Sequence, residues 1–275
     1  MRAGPAAIGL TASASSRPLG RRLAESSVAL KLAGGAFVLG AWEIVVRLLA
    51  PAYVAKPSGI FAALPGVVTS APVLGAAGIT LSAVAEGLVI AVVSGVLVGL
   101  FMGSLRLAER ALSLYVNGLY AMPMVAIVPL LTIWFGYTSA ARLATIIFAS
   151  FFPIAMNVAD GARSVPAEYL EVARACRARP HQIWFGITLP SSLPYLIAGI
   201  RLAVGRALVG AVVAEFIISV DGLGFYILFQ SRTFHHNEAL VAVLLLAGFA
   251  VVVDAAIDWI VRSRLRWYRA GEKTA

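Results

Sequence analysis

The residues of this chain able to do polar chemistry are few, and many of them collect in one place. Between long apolar runs lies EVARACRARPHQIWFGITLP, residues 171–190, which carries Glu171, Arg174, Arg177 and Arg179 and the only cysteine, Cys176. A carboxylate and three guanidiniums on an Ala-rich stretch suit pairing with a second surface, either a cytoplasmic protein or anionic lipid. A second, thinner set lies inside otherwise apolar segments: Glu43, Arg47, Glu86, Asn117, Asn157, Arg201, Arg206 and Glu215. Ionisable groups at bilayer depth are costly, so they pair with one another or line a solute path. Glu43 and Arg47 are four apart and are expected to pair on one helix face, and Asp254, Asp258 and Arg262 share a face by the same spacing. The candidate path residues are Asn117, Met122, Asn157, Arg206 and Glu215. Glu215 has a second reading, an interhelical hydrogen bond. Arg206 suits an anionic solute.

Catalysis finds no support. The chain has no G-x-x-x-x-G-K-[ST] phosphate loop, and none of its lysines (Lys31, Lys56, Lys273) falls in such a frame. No Ser/His, Asp/Asp or His/Glu cluster falls within an apolar segment. His235 and His236, beside Glu238, are adjacent and point in different directions, whereas helical metal pairs stand four apart. No catalytic residue, no metal and no bound cofactor is expected. A single cysteine allows no internal disulfide.

The elements that carry these residues are membrane spans. The chain has 275 residues, 60% of them hydrophobic and 13% charged, against about a quarter charged in soluble domains. The pI of 10.2 and net charge of +9 reflect basic cytoplasmic loops rather than nucleic-acid binding. Alternating segments of a β-barrel are absent. Hydropathy gives six spans, near 29–50, 79–103, 112–135, 140–160, 194–219 and 239–261. Residues 1–28 read as a flexible cytoplasmic tail, 29–262 as the transmembrane domain and 263–275 as a basic cytoplasmic tail. Prolines 51, 57, 65 and 72 are expected to fill the first connection. Of the 22 Lys and Arg, sixteen fall on the side of the N-terminus, three (Lys56, Arg142, Arg232) on the other and three (Arg47, Arg201, Arg206) within spans. Both termini therefore face the cytoplasm, with the insert 161–193.

Three local patterns refine this layout. Gly87, Ala91, Gly95, Gly99 and Gly103 repeat every four residues, a small-residue face that lets another helix approach closely. Pro123 and Pro129 remove backbone donors from the third span and are expected to bend it. In the insert, Ser164 is expected to cap a helix running to about Cys176. Pro180 is expected to start a second, which Leu189-Pro190 ends before Pro194 opens the fifth span.

The insert resembles the EAA loop of ABC-importer permeases, Glu-x-Ala then a glycine then a distal Leu-Pro. Here these are Glu171-Val172-Ala173, position 177 and Leu189-Pro190. LPSSLPYLIAGIRLAVGRALVGAVVAEF (189–216), DGLGFYI (221–227), YAMPMVAIVPLLTIWFG (120–136) and ASFFPIAMN (149–157) are similar to the nitrate/sulfonate/taurine branch of those permeases, over about 37–265. The resemblance implies an all-α type I importer permease of the bacterial plasma membrane. It implies a homodimer working with two ATPase subunits that use the ATP and with an extracytoplasmic solute-binding protein. Its solute is expected to be a sulfonate, nitrate, taurine or similar small organic anion; the competing reading is a stand-alone secondary transporter. It assigns ATPase coupling to Glu171, Ala173, Arg174, Arg177, Ala178, Leu189 and Pro190. One departure is marked: the family's glycine is Arg177 here, and a left-handed turn costs an arginine about 1 kcal/mol.

Overall fold

The computed structural model describes residues 27–51 and 53–264, and among them every regular element is a helix. Most of the two expected tails lies outside the described residues; Ser27, Val28, Ser263 and Arg264 are already helical.

The first compact unit ends at Ser58. Its helix α1 spans Ser27–Leu49. The Arg47 Nε donates to Glu43 at 2.6 Å, and Glu43 also accepts the Ser58 backbone N–H (3.0 Å) and hydroxyl (2.8 Å). The expected ion pair thus has a third member, and it fastens the connection after α1 back onto the helix.

The prolines beyond that connection do not form a loop. Pro57 opens helix α2 (Pro57–Val68), with Pro65 inside it, and Pro72 sits in the first turn of α3 (Ala71–Ser104). Proline fits a first turn because its missing N–H has no intrahelical acceptor there. The second span therefore begins eight residues earlier than hydropathy placed it. At 34 residues, α3 is about 51 Å long, well beyond the bilayer core.

Three helices form the centre of the second unit: α3, α6 (Ser139–Arg163) and α9 (Leu189–Ile218). The small-residue face of α3 lies against α6. A methyl group on Gly87 would meet Ile146, on Gly95 Ile154, on Gly99 the Ala155 carbonyl and Val158, and on Gly103 Ala162. On the other side of α6, Gly199 of α9 abuts Pro153 and Ile154, and Gly210 abuts Ala149. Both interfaces are backbone-close because lipid supplies no hydrophobic drive between spans, so dispersion contacts must hold them.

The third span is not one helix. It is α4 (Arg106–Ala121) and α5 (Met124–Phe135), joined at Met122-Pro123 with a bend of 105°. Pro123 disfavours a helical residue before it, and Met122 is extended (φ −65°, ψ 138°). Pro129, by contrast, lies inside α5. The pair still crosses the bundle: Glu109 of α4 pairs with Arg163 at the last residue of α6, while Val128 of α5 packs with Ala141 near its start. Counting that pair once, six crossings result. Beyond α9 come α10 (Leu223–Arg232) and the last crossing α11 (His236–Arg264).

Candidate coupling surface and transmembrane face

In the insert, Ser164 does not start a helix. It closes α6, its hydroxyl donating to the Gly161 carbonyl at 2.8 Å, and Pro166 precedes α7 (Ala167–Ala175) instead. A serine hydroxyl three residues past a free terminal carbonyl satisfies that acceptor, and here this outcompetes N-capping. Helix α7 ends in two paired bonds, Ala178 N–H to the Ala173 carbonyl (2.9 Å) and Arg177 N–H to the Arg174 carbonyl (2.9 Å). This is a Schellman end, which places its fifth residue in the left-handed region. That residue is Arg177, at φ +54°. The turn that glycine makes in the resembling permeases is therefore made here by an arginine, at a cost of about 1 kcal/mol.

The second half of the insert has no break at Leu189-Pro190. Helix α8 (Pro180–Ile183) passes into a π-helical turn, Trp184–Thr188, and directly into α9. Pro190 cannot donate and its ring crowds the carbonyl four residues back. The wider turn relieves that crowding, with the Leu189 N–H reaching back five residues to Trp184. Pro194 is inside α9 rather than at its start. The segment Pro180–Ile218 is thus one helical run of 39 residues.

Glu171, Arg174, Arg177 and Arg179 are exposed, and none has an ion pair among the described residues. Ala173 is the buried residue of α7. Glu171, Arg174 and Ala178 line a cavity of about 810 Å³ with the ends of α3 and α6 and the start of α4. Arg163 bridges Glu109 and Asp160 beside it. Cys176 is exposed.

At the opposite end of the bundle, Glu215 has no exposed surface. It accepts the Thr80 hydroxyl (2.8 Å) and the Gly224 N–H (2.7 Å), and Arg142 approaches at 3.4 Å. Arg142 also donates to the Asp221 carbonyl (2.7 Å), and Thr80 accepts the Leu223 N–H (2.8 Å). Four segments are clasped there: α3, α6, α9 and the turn before α10. Gly222 and Gly224 let the backbone close over the carboxylate, since a methyl on either would collide with the Glu215 side chain. Arg142, counted with the outer connection in the sequence, is 8% exposed inside α6. Thr80, Arg142, Gly222 and Gly224 were not singled out from the sequence. The two glycines flanking Leu223, just after AEF, were the available signal of a close backbone approach.

The remaining path candidates divide. Asn157 is half-buried and donates to the Pro153 carbonyl (2.7 Å), a bond within its own helix. Asn117 and Met122 are exposed. Arg206 is exposed, its guanidinium 5.2 Å from the Tyr120 ring centroid and 3.4 Å from its hydroxyl. Arg201 instead bridges Asp254 and Asp258 on α11; the side chain of Arg262 lies outside the described residues.

Six apolar crossings and an exposed, charged two-helix insert define a multi-pass membrane protein. Residues 95–266 match the family described as binding-protein-dependent transport system inner membrane component, and the chain belongs to that family. It is therefore an inner-membrane permease component, not the ATP-hydrolysing one. Among curated proteins it is 26% identical over 239 residues to the putative aliphatic sulfonates transport permease protein SsuC of Bacillus subtilis, covering 86% of this chain and 87% of that one. It is 28% identical to the bicarbonate transport system permease protein CmpB of Synechocystis, covering 66% and 65%. A nitrate import permease protein, NrtB of Leptolyngbya laminosa, is 25% identical over 66% of this chain and 65% of its own. Among solved structures, a chain of the inward-facing MetNI methionine ABC transporter matches with a TM-score of 0.61 at 22% identity, covering 71% of this chain and 99% of that one. That likeness carries the type I importer fold.

Proposed function

We propose that this permease works as a homodimer with two ATP-hydrolysing subunits and an extracytoplasmic binding protein, and that it imports a small oxyanion of the sulfonate, nitrate or bicarbonate kind. The relatives named for sulfonates, bicarbonate and nitrate support the solute class. ATP is used by the partner subunit, and this chain binds no cofactor of its own. The observation that carries the coupling role is the insert: exposed charges without internal partners, on a short helix whose end is rigidly closed.

In this reading Glu171, Arg174 and Arg177 face the ATPase subunit, while Ala173 and Ala178 seat α7 against the permease itself. Closure of the ATPase pair on ATP pushes α7. The push enters the unbroken run Pro180–Ile218 and tilts α9, whose glycine contacts with α6 allow sliding at close range. Leu189 and Pro190 act as the stiff junction in that run.

The test uses the lone cysteine. In native membranes holding the cognate ATPase, a thiol-to-amine crosslinker on Cys176 is expected to capture the ATPase subunit. Glu171→Ala is expected to reduce capture and abolish ATP-driven uptake while leaving the melting of the purified permease unchanged to about 0.5 kcal/mol. Capture of no ATPase by a folded protein would reject the insert around Cys176 as the contact with the ATPase.

A further inference from the structure

Four arginines on the membrane-crossing helices are matched by carboxylates: Arg47 by Glu43, Arg142 by Glu215, Arg163 by Glu109 and Asp160, and Arg201 by Asp254 and Asp258. Arg206 is different. It has no carboxylate within ion-pair distance among the described residues, and its contacts are the ring and hydroxyl of Tyr120.

Its depth makes the difference matter. Gly199 of α9 meets α6 at Pro153–Asn157 and Gly210 meets it at Thr145–Ala149. Arg206 therefore stands about level with Ser150, near the middle of α6 (Ser139–Arg163). A guanidinium at mid-bilayer depth cannot face hydrocarbon without several kcal/mol of cost, and it is too far from either surface to reach it easily. It must face water or a counter-charge. Tyr120 is at the end of α4, next to the Met122-Pro123 break, and Asn117 lies on the same face three residues earlier. A cation on a ring face is attracted by the quadrupole without being neutralised. The guanidinium is therefore held in place while its charge and several of its N–H donors stay available. This is the physical arrangement of an anion station, not of a structural ion pair.

We propose that Arg206, positioned by Tyr120 with Asn117 alongside, is an anion-binding and charge-selecting station in the transmembrane path. It recognises the planar or tetrahedral oxyanion group by guanidinium N–H donors. The proposal rests on the importer reading above, and it adds the residue that favours anions over neutral or cationic solutes.

The test reads charge selection without needing the physiological solute. In a Cys176→Ser background, Val209→Cys places a thiol on the same exposed face of α9. The intact permease–ATPase complex in nanodiscs is then treated with the anionic sulfonatoethyl or the cationic trimethylammonioethyl methanethiosulfonate. With Arg206 present, the anionic reagent is expected to react about tenfold faster than the cationic one, from local enrichment of anions. Taking the ratio cancels any general activation of the thiol by the nearby charge. Arg206→Gln should abolish the preference and Arg206→Lys retain most of it; Tyr120→Leu should weaken it.

Three results would overturn the station. Neither charged reagent reaching the introduced thiol would put this face in lipid. A preference unchanged by Arg206→Gln would place the selecting charge elsewhere. A preference that appears only after Glu86→Gln would mean that Arg206 is neutralised by the exposed Glu86 of a second copy. Comparing nanodiscs of neutral lipid with ones containing phosphatidylglycerol separates a lipid headgroup from a solute: loss of the preference only with anionic lipid assigns the site to lipid and sinks the solute reading. Uptake of labelled taurine, nitrate and bicarbonate by the complete importer reports on the importer reading independently. Charge selection at the introduced thiol with no anion uptake would keep the station and reject the proposed solutes.

Discussion

The two ends of the α3–α6–α9 bundle handle charge in opposite ways. At the outer end, Glu215 is fully buried and receives bonds from Thr80, Gly224 and Arg142, so its carboxylate is satisfied within one chain, while the buried Arg142 Nε is left without an acceptor among the described residues. At the inner end, Glu171, Arg174, Arg177 and Arg179 are exposed and unpaired among the described residues. Desolvated charge is tolerable only when satisfied, whereas solvated charge costs little and remains available. The outer cluster therefore holds the fold, and the inner one is available for another molecule. Arg206 stands between them, resting on Tyr120 with no carboxylate partner among the described residues.

The sharpest way to break this contrast is Glu215→Ala. It removes the acceptor for three donors and leaves Arg142 buried beside an unfilled space, with an expected loss of about 3–5 kcal/mol. Size-exclusion fluorescence after graded heating in detergent reads it. Glu215→Gln keeps one acceptor oxygen but turns an NH2 donor toward either the Gly224 N–H or the Thr80 and Arg142 donors, and is expected to fall in between. Melting of Glu215→Ala alongside the parent would show that the outer cluster carries no stability.

A smaller effect tests whether closeness, rather than glycine content, holds α3 to α6. Gly99→Ala puts a methyl 2.6 Å from the Ala155 carbonyl and is expected to cost about 1–3 kcal/mol. Gly78→Ala, in the same helix with nothing within 4 Å, is expected to gain up to about 1 kcal/mol from helix propensity. The opposite signs, read by the same melts, are the point; equal responses would remove the packing account.

The smallest effect lies in the insert. Arg177→Gly relieves the left-handed strain but frees the unfolded chain, so a net gain of no more than about 1 kcal/mol is expected. Arg177→Val, β-branched at φ +54°, is expected to lose more than the parent arginine tolerates. If Arg177→Gly stabilises the protein while lowering ATP-driven uptake, the guanidinium acts on the partner; if uptake is unchanged, Arg177 only closes the turn.

Much of this architecture was legible in the residues. Hydropathy locates the six crossings because apolar runs of bilayer length have no other stable solution in lipid. The four-residue repeat of small residues from Gly87 to Gly103 announced a close helix contact, although not that α6 supplies it. The pairing of Glu43 with Arg47 followed from helical spacing. What misled were prolines. Pro57, Pro65, Pro72, Pro190 and Pro194 all read as interruptions, yet each is accommodated in a helix, at a first turn, within the helix or after a π turn. Among the described residues, Pro123 is the proline at a break inside an expected span. Local rules say what a proline removes, not whether neighbouring backbone can absorb the loss.

By itself, the sequence determined that the chain is a membrane protein of six crossings, with a basic insert facing the cytoplasm and small-residue faces for packing. Those properties follow from summed hydropathy, charge asymmetry and fixed helical periods, which act locally. Only the tertiary structure decided that Arg142 and Thr80 meet Glu215, that Arg201 is paired, and that Arg206 rests on Tyr120. Those partners are 73, 135, 57 and 86 residues apart in the chain. No local period links residues so distant, and which charges end up neutralised is settled by which helices lie side by side.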